Sequence, residues 1–171
     1  INSLSKVGGE KIPVKPIMVL CRCGKSNNKP FCDNAHIAFG FDDSKKEGRC
    51  PNKVKDYVGK NITIHDNQGV CSHAAYCTKY SPRVFNVDKK PWIDPNGDHD
   101  LEQTKTTIKM CPSGALAYTT KEEKYIDQKR DPAIFIEPDG PYQVVGGPIF
   151  TDSEENKPQS KEHYTLCRCG Q

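Results

Sequence analysis

Apolar residues in this chain come in short runs, and the runs mark more strands than helices. Ile17-Met18-Val19-Leu20 reads as a strand leading directly into Cys21. Asn61-Ile62-Thr63-Ile64-His65 alternates with the period of a half-buried strand, and Asp66-Asn67-Gln68-Gly69 follows as a turn. Asp100 is placed to cap a helix whose apolar face uses Leu101 and Ile108 and which ends near Cys111-Pro112. Ala115 to Thr120 is a short strand. Ala133-Ile134-Phe135-Ile136, the turn Pro138-Asp139-Gly140 and the stretch Tyr142 to Val145 predict a hairpin. A polar loop, Asp152 to Glu162, leads to a last strand, His163-Tyr164-Thr165-Leu166. Asp42 to Asn52 is charged and aperiodic, and reads as a linker.

Composition turns this pattern into small modules. Of 171 residues, 35 % are hydrophobic, and there are 13 Gly and 13 Pro, which is lean for one large core. The fold class expected is therefore α+β, in small loop-rich modules stapled by something other than apolar packing. Nine cysteines are the candidates. Their number is odd, no secretory signal is present, and they cluster tightly along the chain. Metal or cluster ligation in a reducing compartment, the cytoplasm, fits better than disulfides. The net charge is only +3, with both signs interspersed, so no basic stripe points to nucleic acid. No apolar run approaches the roughly 18 residues of a membrane span. The chain starts at Ile1 and stops at Gln171 inside a motif, and reads as a fragment of something longer.

The first ligand constellation is Cys21, Cys23, Cys32 and His36, spaced C-x-C-x8-C-x3-H. In C-x-C, a sharply turned backbone brings two thiolates to one iron. In C-x3-H, one turn brings a thiolate and an imidazole to another. The loop between them can offer backbone N–H groups to the sulfides of a cluster. A zinc site can have the same ligands, but C-x-C is tighter than the C-x₂₋₄-C spacing of structural zinc. The stretch CRCGKSNNKPFCDNAH, Cys21 to His36, resembles the CDGSH iron–sulfur family, the mitoNEET-like proteins. The resemblance implies a [2Fe–2S] cluster, with Cys21 and Cys23 on the inner iron and Cys32 and His36 on the outer, exposed one. The family's usual Gly-Ser before the histidine is Asn34-Ala35 here.

The second constellation is Cys71, Cys77 and Cys111, the last followed by Pro112. Bacterial ferredoxins use C-x₂-C-x₂-C with a remote Cys-Pro, and Ala74 stands at the middle position of that run here. The stretches ITIHDNQGVCSHAAYC, SPRVF, PWIDP and CPSGALAY resemble the divergent mono-cluster ferredoxins. Three thiolates hold a [3Fe–4S] cluster; a [4Fe–4S] cluster needs a fourth ligand. His73 is the nearest candidate, and its other role is a hydrogen bond to a cluster sulfide or the backbone. The plain alternative for this segment is buried, unligated cysteine.

Leu20-Cys21-Arg22-Cys23-Gly24 recurs as Leu166-Cys167-Arg168-Cys169-Gly170, an internal repeat. Cys167 and Cys169 are then the half site of a second CDGSH module, truncated at Gln171. The parent chain is expected to continue with a polar loop, Pro-x-Cys-Asp and a histidine four residues after that cysteine. Two copies in one chain can form an intramolecular pseudo-dimer, as the mitochondrial relatives form dimers. Cys50 fits no pattern and reads as a free linker thiol. His65, His99 and His163 read as surface or strand residues, and Trp92 as cover for the middle cluster.

The modules expected are a CDGSH module at 11–41, a linker at 42–56, a ferredoxin-like α+β domain at 57–120 and an incomplete β-rich CDGSH module at 133–171. The function expected is electron transfer or cluster transfer, with a redox partner protein or an apo-protein acceptor, and no nucleic-acid or membrane partner. The alternatives are the iron–sulfur subunit or domain of a redox enzyme, or a structural zinc protein that binds a partner. No Gly-rich nucleotide loop, Ser/His/Asp set or suggestive pair of carboxylates supports an enzyme.

Overall fold

The computed structural model describes residues 1–44, 47–151 and 159–169. The strands are β1 (Ser3–Lys6), β2 (Lys11–Ile12), β3 (Lys55–Val58), β4 (Thr63–Asp66), β5 (Leu116–Thr119), β6 (Lys124–Tyr125), β7 (Ala133–Ile136), β8 (Tyr142–Val145) and β9 (Tyr164–Leu166). The helices are α1 (Ala35–Ala38), α2 (Tyr76–Tyr80) and α3 (Leu101–Lys109), with a 3₁₀ turn at Gln68–Val70. This is a loop-rich α+β protein. The chain divides into two units, one built on Ile1–Arg49, Lys129–Ile149 and the stretch from Glu162, the other on Cys50–Gln128.

The first unit is a five-stranded sheet in the order β2-β1-β7-β8-β9. The β7–β8 hairpin forms where apolar alternation and Pro138-Asp139-Gly140 predict it, with Ile134 opposite Val144. β1 joins parallel to β7, Leu4 against Ile134, and only Leu4 among its residues is buried. β1 lies ahead of Lys11, where the first module was expected to begin. Its one buried apolar residue gives little periodic signal, so its place is set by backbone pairing with β7.

The apolar run at Ile17–Leu20 does not form the expected strand. Only Leu20 pairs, as an isolated bridge to Phe31, and Ile17 and Val19 are 83 % and 62 % exposed. Pro30, next to Phe31, brings no N–H donor, so the ladder cannot extend on that side. Two hydrogen bonds flank the bridge, Cys21 N–H to the Pro30 carbonyl and Cys32 N–H to the Val19 carbonyl, each 2.8 Å. The result is a short clamp that starts the Cys21 loop and ends at Cys32.

The second unit is an antiparallel sheet in the order β3-β4-β5-β6, with α3 against β5. Its core holds Tyr57, Ile62, Ile64, Phe85, Ile93, Ile108 and Tyr118. α3 begins where the sequence indicates: the Asp100 carboxylate accepts the Gln103 N–H at 2.8 Å. Its inner face is less apolar than a core helix usually is. Ile108 is fully buried, but Thr104, Lys105 and Thr107 are buried with it. Thr107 pairs with the Ser81 hydroxyl at 2.8 Å, and the Lys105 amine bridges Glu102 at 2.9 Å and Glu123 at 3.0 Å. These partners satisfy polar atoms that would otherwise oppose burial. The expected polar loop from Asp152 lies largely outside the described residues, as do Gly170 and Gln171.

Candidate metal centres

The loop from Cys21 to His36 folds on itself through its own polar side chains. Ser26 donates to the Phe31 carbonyl at 2.6 Å and accepts the Asn28 N–H at 3.0 Å. Asp33 accepts the Asn27 N–H at 2.9 Å and the Ala35 N–H at 3.1 Å. Those amides hold its carboxyl below the usual carboxylate range. Asn34, where the CDGSH proteins usually have glycine, takes the left-handed conformation with φ 67°. Asparagine is among the few residues that adopt it readily, so the turn survives the replacement. α1 follows at once and carries His36 in its first turn.

Two ligand pairs result. The Cys21 and Cys23 sulfurs lie 3.8 Å apart, and Cys32 Sγ lies 3.6 Å from His36 Nδ1. Two ligands on one tetrahedral ion, with bonds of about 2.3 Å to sulfur and about 2.05 Å to nitrogen, stand about 3.8 Å (S–S) and about 3.6 Å (S–N) apart. Both pairs therefore have the spacing of a tetrahedral edge. Among the described residues, however, no three His, Cys, Asp or Glu side chains converge as the ligands of one metal ion. A [2Fe–2S] cluster asks for two pairs on two irons, whereas zinc asks for four ligands at one point. The pairs differ in depth: Cys21 and Cys23 are buried, while Cys32 and His36 are half-buried.

Burial pushes the Cys21 thiol up, but the amides of Ser26 and Gly24, the Cys23 side chain and the Lys29 charge outweigh it and hold the thiol below its ordinary value. Asn34 N–H donates to Cys32 Sγ at 3.4 Å. The Tyr142 hydroxyl, from β8, donates to the Cys21 carbonyl at 2.8 Å. Burial pushes that phenol up to about 12, so it stays a donor.

The repeated C-x-C lies in the same unit. Cys167 and Cys169 follow β9, both exposed, with sulfurs 3.0 Å apart, longer than a disulfide and shorter than a tetrahedral edge. Arg22 Nε donates to the Cys167 carbonyl at 3.3 Å. Gly24 has φ +73°, and a Cβ on it would stand 3.0 Å from the Cys169 carbonyl oxygen. The two C-x-C loops thus meet backbone to backbone.

In the second unit, Cys71 closes the 3₁₀ turn after β4, Cys77 sits on α2 and Cys111 follows α3. All three are half-buried and line one cavity of about 1040 Å³, which Trp92 and His73 also line. Burial pushes the Cys77 thiol up to about 11, and the charges of Cys111 and Cys71 push the same way. Burial raises Cys71 too, with Cys111, Asp66 and Cys50 adding to it against the His73 amide. Thiolates crowded like this repel one another unless a cation sits between them, so the donor set suits an iron–sulfur core. Each iron of a cubane takes a single protein ligand, so its cysteines stand around the cavity rather than meet at a point.

His73 is exposed, at φ 53°; its backbone N–H donates to Cys71 Sγ at 3.4 Å, and its Nδ1 lies 4.0 Å from the same sulfur. Trp92 covers the cavity wall as the sequence suggests, donating from Nε1 to the buried Asp66 carboxylate at 3.2 Å. Desolvation pushes that carboxyl up. Cys50, read as a linker thiol, lines the same cavity.

Residues 57–121 match the family model described as "Divergent 4Fe-4S mono-cluster", and residues 3–37 match that described as "Iron-binding zinc finger CDGSH type". A 65-residue stretch is 37 % identical to the uncharacterized protein YjdI of Escherichia coli (strain K12), covering 38 % of this chain and 84 % of that protein. The protein of the same name from Escherichia coli O157:H7 matches to the same extent. No solved structure matches the chain.

Proposed function

The chain belongs to one family with YjdI and carries stretches that match the CDGSH iron-binding and divergent 4Fe–4S mono-cluster models, and from that premise we propose that it is an electron-transfer or cluster-transfer protein rather than an enzyme. In this reading Cys21, Cys23, Cys32 and His36 hold a [2Fe–2S] cluster. Cys71, Cys77 and Cys111 hold a [3Fe–4S] or [4Fe–4S] cluster. Cys167 and Cys169 supply half the ligands of a second [2Fe–2S] centre. CDGSH modules at 11–41 and 133–171 then flank a middle domain at 57–120.

The observation that carries the reading is the pairing of the first site: two ligand pairs at tetrahedral-edge spacing that do not converge on one point. When bound, the clusters supply one-electron redox chemistry. The protein's own groups set its terms. Amides aimed at Cys21, Cys32 and Cys71 stabilise anionic sulfur. The half-buried Cys32–His36 edge gives a redox partner or an apo-protein acceptor its way in. The backbone contact between the C-x-C loops supports an intramolecular pseudo-dimer. Cys21, Cys23, Cys32, Cys50, Cys71, Cys77 and Cys111 are thiols rather than disulfides, which suits a reducing compartment such as the cytoplasm. Among the described residues no helix is long and apolar enough to cross a membrane.

Anaerobic purification with iron, sulfide and zinc analysis tests the reading, together with electron paramagnetic resonance in both redox states. Two filled sites give about five or six irons per chain with matching acid-labile sulfide. Stoichiometric zinc without sulfide overturns the reading.

A further inference from the structure

Three cysteines of the middle domain leave one iron of a [4Fe–4S] core without a protein ligand, and a fourth thiol stands at the same cavity. Cys50 lines it together with Cys71, Cys77 and Cys111. Its position is held by contacts just beyond it. A Cβ on Gly69 would stand 2.5 Å from the Pro51 carbonyl oxygen and 2.7 Å from the Asn52 Cα, so only glycine lets this segment lie on the turn two residues before Cys71. Asn67 Nδ2 donates to Asn52 Oδ1 at 2.7 Å, and Asn67 is itself fixed by its N–H to the Ala115 carbonyl at 2.8 Å. The linker is therefore tied to the Cys71 turn at the residues that follow Cys50. The dipeptide Cys50-Pro51 also repeats Cys111-Pro112, the form of the remote ligand in bacterial ferredoxins.

We propose that Cys50 is the fourth protein ligand of the middle centre, completing a four-thiolate [4Fe–4S] site with Cys71, Cys77 and Cys111. The assignment rests on the iron–sulfur reading of that cavity. His73 suits the role less: its Nδ1 is 4.0 Å from Cys71 Sγ, and ligands on separate irons of one cubane stand well beyond the edge of a single ion. Cys50 is exposed, which fits a ligand on the outermost iron. On binding, its thiol gives a proton to solvent, its sulfur replaces a water on that iron, and no electron moves.

The test uses the full chain, loaded anaerobically with iron and sulfide. Cys50, exposed in the stripped chain, is expected to resist iodoacetamide in the loaded chain as Cys77 does, and to react once a chelator removes the iron; peptide mass spectrometry reads both. In Cys50→Ala, ferricyanide is expected to take one electron as one Fe²⁺ leaves, so that the centre falls from about four irons to about three and shows the [3Fe–4S]⁺ resonance. His73→Ala is expected to keep about four. A loaded native chain whose Cys50 alkylates as fast as in the stripped chain overturns the assignment but leaves the cluster reading standing. A Cys50→Ala chain that keeps its fourth iron does the same. A native middle domain that takes up no iron and sulfide overturns both.

Discussion

Tyr142 and His36 are the single side chains on which the proposed first centre depends most directly. The Tyr142 phenol reaches from β8 to the Cys21 carbonyl, and Arg168 lies 5.7 Å over its ring. Tyr142→Phe keeps the packing and removes the donor to a buried carbonyl, a change expected to cost about 1–2 kcal/mol. Melting followed by the visible absorbance of the proposed [2Fe–2S] centre should drop by several degrees, and an unchanged midpoint would show that the hydroxyl is not structural. His36 brings a different property. A neutral imidazole that leaves iron takes up a proton, whereas a thiolate is a stronger, anionic ligand, so acid favours loss of the cluster through the histidine. His36→Cys is expected to slow acid bleaching several-fold and to lower the reduction potential. Stopped-flow absorbance and redox titration read the two effects; equal bleaching rates in the native and variant chains would rule out His36 as the labile ligand.

Between elements, a charged pair ties Arg130, ahead of β7, to Glu162, ahead of β9. Arg130 donates through Nε at 2.8 Å and through a second guanidinium nitrogen at 2.7 Å. Gly146 N–H adds a third bond at 2.8 Å, just past β8. Burial pushes the Glu162 carboxyl up, but these bonds and the charges of Arg130 and His163 overcome it and hold it at about 2. A carboxyl lowered on folding contributes stability that is complete above its unfolded value near 4.5 and is lost as pH falls toward 2. The contribution is up to about 3 kcal/mol. Glu162→Gln should therefore be less stable than the native chain at pH 7, with the gap closing between about pH 5 and pH 2. Urea unfolding at several pH values measures it, and a gap that does not change with pH would exclude the carboxylate as its source.

The two proposed ligand sets belong to different units: Cys21, Cys23, Cys32 and His36 to one, Cys71, Cys77 and Cys111 to the other. Each site draws its scaffold from its own sheet, so each centre should be lost alone. Cys32→Ser is expected to remove the spectrum of the proposed [2Fe–2S] centre and leave the iron of the middle domain, and Cys77→Ser the reverse. Iron analysis with paramagnetic resonance on both variants decides it; loss of both centres in either variant would mean that the units do not hold their clusters separately.

What could be read without the structure was what neighbouring residues decide among themselves. The spacings of Cys21, Cys23, Cys32 and His36 limit which atoms a turn can bring together. Asp100 signals a helix start because its carboxylate needs only the amide three residues on. The β7–β8 hairpin is legible because its apolar residues and its turn lie side by side in sequence. Tertiary structure alone decided what depends on distant backbone. β1 joins β7 through main-chain hydrogen bonds that leave no side-chain pattern in Ser3–Lys6. Ile17–Leu20 has a strand's composition, yet only Leu20 finds a partner, Phe31, and Pro30 beside it has no N–H to carry the ladder on. The second C-x-C meets the first across Gly24, and Cys50 reaches the cavity of Cys71 across Gly69, because both approaches need the space of a missing Cβ rather than any local periodicity.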